Sequence, residues 1–251
     1  SAAGLVFSIP FGWDLSILSI NPAGFLILFI KTAMNALSFY FIMSALKNLD
    51  ISNSLPLMEL SPGFVAVLGA IFLNEIPNGY QILGILLLIF GTYLINLKKN
   101  GGLYEPLMIF FKSKGHNYIL YALILFSITS ILDKVIVVKL NVPPGQFIFL
   151  HHLLTAIFFA SAFFVKRRGF SSVKNISKEI WFFIFLVGLL SVFYRYTQIL
   201  AIKEGHVALV LAIKRTSVFF ACVVGGTLFK EETLAQRIIA TLILIAGGAL
   251  V

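Results

Sequence analysis

The chain has 251 residues, 59% of them hydrophobic and 12% charged, with a formal charge of +9 and a mean hydropathy of +1.00. A soluble domain is about half apolar and about a quarter charged, so a water-facing enzyme, a disordered chain and a nucleic-acid module are poor readings. The basic surplus suits loops on one face of a membrane better than a DNA footprint, and lone Cys222 excludes a disulfide framework and a cysteine zinc site.

Crossing a bilayer core of about 30 Å takes about 20 apolar residues in a helix. Before the first such run, residues 1–20 open with an apolar stretch too short to cross, closed by Pro10, Gly12 and Asp14. It has no basic leader or A-x-A site and is not a signal peptide. It reads as the tail of a span whose beginning is absent, with a processed start as the alternative. Eight complete spans follow, at 22–46, 51–74, 79–97, 118–138, 145–165, 181–202, 206–229 and 235–251. Most breaks between them are a few residues long and suit antiparallel hairpins. Two are longer, 98–117 and 166–180, and neither can hold a soluble domain.

At an offset of 156, residues 40–95 lie over 196–251 without a gap. Lys47 meets Lys203, Ser61 meets Ser217, Gly69 meets Gly225, Glu75 meets Glu231 and Gly91 meets Gly247. Apolar composition would match Leu and Ile by chance, but not Lys, Ser, Gly and Glu in one register. An odd number of spans lies between the copies, so the second is inverted in the membrane. Inverted repeats are common in secondary transporters, which hold solute near the midplane at the repeat interface.

The run Ala45-Leu46-Lys47, Ser61-Pro62, Glu75, Gly84 and Gly91, with its second copy Ala201-Ile202-Lys203, Ser217, Glu231 and Gly247, resembles the EamA-type members of the drug/metabolite transporter superfamily. The resemblance covers nearly the whole chain. It implies a ten-helix, all-α polytopic architecture of two five-helix repeats. The chain would hold a first repeat over 1–97, lacking its first helix and most of its second, a linker loop over 98–117 and a second repeat over 118–251. It also implies movement of small metabolites or drugs. Val218 stands where the first copy has Pro62, a departure from strict symmetry.

Twelve Lys and Arg fall on the face that carries 98–117 and two on the other, which assigns the first face to the cytoplasm. The family's usual arrangement implies the opposite placement.

Ionisable residues inside a span are costly and face the bundle interior or a wet cavity. Lys31, Lys214 and Arg215 lie roughly 12–14 Å in from the far side of the membrane, and Arg195 roughly 10 Å. With Tyr196 and Asn35 they are the candidate solute-binding residues. They predict a cationic cavity for an anionic or carboxylate-bearing solute, Arg offering a fork and Lys a point charge. Internal pairing, for example of Asp133 with Lys134 or Arg195, is the alternative. Glu59, Asp133 and His151 are candidates for proton coupling, His because it titrates near neutrality. Pro56 and Pro62 flank Glu59 and break the helix, as hinges or as packing kinks. Glu59 and Arg215 are equivalent in the two copies, and a contact between them would depend on conformation.

Tyr194 and Gln198, like Tyr196 and Asn35, could supply polar or stacking contacts, and each singly suits a packing or hydrogen-bonding role better. His151 and His152 point about 100° apart, whereas metal ligands on one helix face want i, i+4 spacing. No metal site or cofactor is expected. Glu75 and Glu231 suit turns or caps, and Gly84, Gly91, Ala240, Gly247 and Gly248 form small-residue stripes for close packing or a homodimer seam.

The expectation is therefore a multi-pass transporter of a prokaryotic inner membrane, not an enzyme. Its partners would be the bilayer and a small solute, and no nucleic acid. A lipid-linked carrier flippase keeps the fold and changes the cargo. A membrane-embedded lipid or isoprenoid transferase is less suited, because neither H-E-x-x-H nor D-x-x-x-D occurs.

Overall fold

In hydrocarbon every backbone polar group must be satisfied within the chain, which leaves helices or closed barrels. The computed structural model describes residues 2–12, 20–47, 61–96, 114–165 and 178–215, together with 217, 239, 240, 242, 243, 246, 247 and 250. Every regular element among these residues is helical. The helices are α1 (Ala2–Gly12), α2 (Pro22–Leu46), α3 (Ser61–Leu73), α4 (Gly79–Asn96), α5 (Lys114–Lys134), α6 (Pro144–Val165), α7 (Lys178–Glu204) and α8 (Val207–Arg215), with a π-helical turn, Val135–Lys139, continuing α5.

Four helical stretches among the described residues are long and apolar enough to cross a membrane: Pro22–Leu46, Asn117–Lys139, Pro144–Ala162 and Ile180–Glu204. These correspond to four of the eight expected spans. Ser61–Leu73 and Gly79–Gly91 are shorter apolar helices, and most of 206–229 and 235–251 lies outside the described residues. Apolar side chains face outward throughout; on α7, Phe182, Phe185 and Phe193 are each more than half exposed. A water-soluble fold does not leave such a surface bare, whereas lipid covers it at no cost.

Local chemistry sets the helix ends. Asn21 precedes α2, and its side-chain oxygen accepts the Ala23 N–H at 3.1 Å, while Pro22 takes the first helical position. Asn78 and Gln81 exchange reciprocal bonds of 3.0 and 2.9 Å at the start of α4, a capping box. Asn74 follows α3 with φ 56°, and Asn141 follows the π turn with φ 52°. Asn is among the few residues that take up the left-handed region readily. Pro10 lies inside α1, which ends at Gly12, one of the three residues expected to close the apolar stretch.

By contacts the chain divides into two compact units, Ser1–Ala36 with Leu132–Glu204, and Leu37–Ile131 with Gly205–Val251. Each draws on both halves of the sequence, so these units are not the sequence repeats. In the first, α1 packs on α6 and α7, around a core that includes Leu28, Ile136, Phe147, Ile148, Val192 and Ile199. In the second, α8 packs on α3 and α4. There the Ser38 hydroxyl donates to the Ala122 carbonyl at 3.0 Å, tying α2 to α5.

The glycine stripe is used inside the second unit. A Cβ at Gly247 would stand 2.8 Å from the Gly84 carbonyl oxygen and 3.0 Å from the Leu88 nitrogen, so the two backbones touch. At this pair the small residues make an intrachain seam, the close packing that the stripe was expected to permit.

Candidate functional site: a buried ion cluster

Within the first unit, α2, α5 and α7 each bring one ionisable residue to a common point. Asp133 is shared: Lys31 Nζ lies 2.8 Å from Oδ1, and the Arg195 guanidinium donates to Oδ2 at 2.6 Å. Lys31 is wholly buried and the Asp133 side chain 2% exposed, whereas that of Arg195 keeps 17%. The second guanidinium arm donates to the Gln198 side-chain oxygen at 3.1 Å. Arg195 and Gln198 are i, i+3 neighbours and so share a face of α7.

The Phe147 ring lies under both cations, 4.8 Å from Lys31 Nζ and 5.9 Å from the guanidinium carbon, where its negative face attracts them. His151, one turn further along α6, stacks near Phe147 and turns Nδ1 toward Lys31 Nζ at 3.5 Å and the Thr32 hydroxyl at 3.4 Å. An ammonium can only donate, and the Thr32 hydroxyl proton is already given to the Leu28 carbonyl at 2.7 Å. The Lys31 contact therefore needs the Nδ1 lone pair and the Thr32 contact an Nδ1 proton, so each belongs to a different tautomer of His151. His152 lies against α1, where a Cβ at Gly4 would come within 2.9 Å of its ring.

Lys31, Asp133, Arg195 and His151 are thus brought together, and both cations, not one alone, pair with Asp133. Of the two partners suggested for Asp133, Arg195 is one that pairs with it. Tyr196 is half-buried, its ring 4.8 Å from Phe11, and packs against the core of the same unit. Asn35 is half-buried on α2. Lys214 belongs to the second unit, where its ammonium lies 5.6 Å from the Phe126 ring. Pro62 is buried at the start of α3. Glu59, Pro56 and the side chain of Arg215 lie outside the described residues.

Three participants were not singled out as site residues. Gln198 is signalled by its spacing from Arg195. Phe147 stands four residues before His151, and Thr32 directly follows Lys31. The π turn after Lys134 has no sequence signal that we can identify; such turns are frequent near functional positions. The cap reading for Glu75 is met: its carboxylate accepts the Val207 N–H at 2.8 Å, at the positive end of α8.

The second unit also holds an apolar cavity of about 460 Å³ between α3, α4 and α5, bordered by Phe64, Val67, Ile89, Ile124 and Ile128. The one hydroxyl at its described rim, Ser127, is spent on the Leu123 carbonyl at 2.8 Å. Among the described residues no group of His, Cys, Asp and Glu is arranged to hold a metal ion.

A lipid-facing apolar exterior around a buried ionic centre defines a helical integral membrane protein. The model of the EamA-like transporter family matches residues 1–97 and 113–251. The chain belongs to this family, a membrane transporter of the drug/metabolite type; members of the family are transporters, not enzymes. A solved structure titled "Crystal structure of protein" superposes with a TM-score of 0.64 at 15% identity, covering 99% of this chain and 93% of that one, which shows a shared fold. No curated protein matches the chain.

Proposed function

We propose that this chain acts in a secondary transporter of a prokaryotic inner membrane, moving a small anionic solute by alternating access of two inverted five-helix repeats. The observation that carries the solute class is the ratio of charges at the buried cluster: Lys31 and Arg195 share the single carboxylate of Asp133. A buried charge without a full complement of counter-charge is expensive, and an arriving anion relieves that cost. Arg195 then contacts the solute while Lys31 supplies charge behind it, Tyr196 and Asn35 shape the site, Lys214 and Arg215 contribute further positive charge, and Glu59, Asp133 and His151 couple transport to protons. Pro56 and Pro62 act as hinges.

The test is uptake by purified protein in proteoliposomes. Small carboxylates are expected to be taken up and to compete with one another, whereas organic cations of the same size are not. Uptake of cations alone refutes the reading. A reporter fused in 98–117 decides which face is cytoplasmic.

A second reading, a flippase for lipid-linked cargo, is supported by the apolar cavity of the second unit, whose lining suits a hydrocarbon tail. It predicts that labelled lipid-linked anions exchange leaflets in the same vesicles while free carboxylates do not.

A further inference from the structure

We propose that Arg195 and Gln198 form a clamp for the carboxylate of the transported solute, and that Asp133 holds the guanidinium in the clamp until the solute takes it over. This rests on the reading of the chain as a carrier of anions and assigns the site that would recognise one.

Among the described residues of the cluster, Lys31 and Arg195 carry two positive charges and Asp133 one negative, which leaves a surplus of one. Lys31 is sealed; Arg195 is the cation that a solute can reach, its side chain 17% exposed. The orientation of Gln198 follows from Arg195. A guanidinium only donates, so the amide must turn its oxygen toward it. The amide nitrogen then points away, and it has no hydrogen-bond partner although Gln198 is only 6% exposed. Buried donors in folded proteins are nearly always satisfied, so an idle amide N–H beside an accessible guanidinium calls for an acceptor.

The ligand that answers both features is an oxyanion of unit charge. One carboxylate oxygen accepts from the guanidinium and the other from the Gln198 amide. Asp133 remains with Lys31, so two cations face two carboxylates and the surplus disappears. A dianion such as phosphate would reverse the sign of the excess, which makes a carboxylate the better fit. Phe147, beneath both cations, keeps the exchange partners on one aromatic platform.

The clamp is tested on the full purified chain by thermal unfolding, with acetate and benzoate as probes, acetamide and benzamide as their uncharged counterparts, and inorganic phosphate as the dianion. Carboxylates are expected to raise the wild-type Tm more than their amides or phosphate, since a ligand of the native state stabilises by mass action. In Gln198→Glu the chain supplies its own carboxylate to the surplus charge, so the protein stays folded. Its response to carboxylates is expected to weaken about tenfold or more, as befits loss of a charge-assisted bond.

Asp133→Asn removes the internal competitor, and where this variant folds it is expected to bind carboxylates more tightly yet exchange them across vesicles more slowly. A Gln198→Glu protein that responds like wild type overturns the clamp and leaves anion transport standing. A wild type that responds to phosphate above carboxylates likewise overturns the clamp alone, whereas one that responds equally to amides overturns the anion reading and the clamp with it.

Discussion

The two compact units solve the same problem, holding helices together in lipid, with opposite chemistry. The first places three ionisable side chains from α2, α5 and α7 at one point and lays an aromatic ring beneath them. The second relies on backbone contact at Gly84 and Gly247, on a serine hydroxyl reaching the Ala122 carbonyl, and on apolar side chains around a cavity. In hydrocarbon there is no hydrophobic drive to bring helices together, so both solutions depend on close packing and on polar groups finding partners. The difference lies in what each can change. An ion cluster can exchange partners, whereas a glycine seam only fits or clashes.

Removing one member from each arrangement breaks the comparison most sharply. Asp133→Ala leaves Lys31 and Arg195 buried without their common counter-ion and is expected to cost about 3–5 kcal/mol, read as a large fall in thermal stability in detergent. Gly247→Val forces a side chain into the Gly84 backbone, where a Cβ already stands at 2.8 Å. It should cost about 1–3 kcal/mol by the same measurement and leave carboxylate binding unchanged, because it touches only the second unit. Glu75→Ala removes the acceptor of the Val207 N–H and is expected to cost about 1 kcal/mol, with hydrogen exchange accelerated in the first turn of α8. The smallest effect belongs to Phe126→Leu. It forfeits the attraction between that ring and the Lys214 ammonium, about 0.5–1 kcal/mol, and should show only as a slight drop in Tm.

The sequence revealed the elements better than their neighbours. α2, α6 and α7 are visible as apolar runs because a membrane span must be long and uniformly apolar. Some helix starts are visible too, because Asn21 and Pro22 suit the start of α2, Asn78 that of α4 and Pro144 that of α6. Lys31 and Arg195 stood out because a charge at that depth must have a reason. Asp133 was legible as a partner for Arg195 but not for Lys31, which lies 102 residues away in the chain. Only the packing of three helices decides that Asp133 faces both of them. The π turn was equally illegible: Val135-Ile136-Val137-Val138-Lys139 would suit an ordinary helix end.

The Glu75 cap has a consequence for how the gene could be divided. A carboxylate from the first half of the polypeptide completes a helix that begins at Val207, in the second half. Two polypeptides produced by cutting the coding sequence within 98–117 would therefore each be born incomplete. One would carry a carboxylate parted from the helix it caps, the other an open helix start. Co-synthesis, with the fragments meeting before either is degraded, is the condition under which such a severed transporter could assemble.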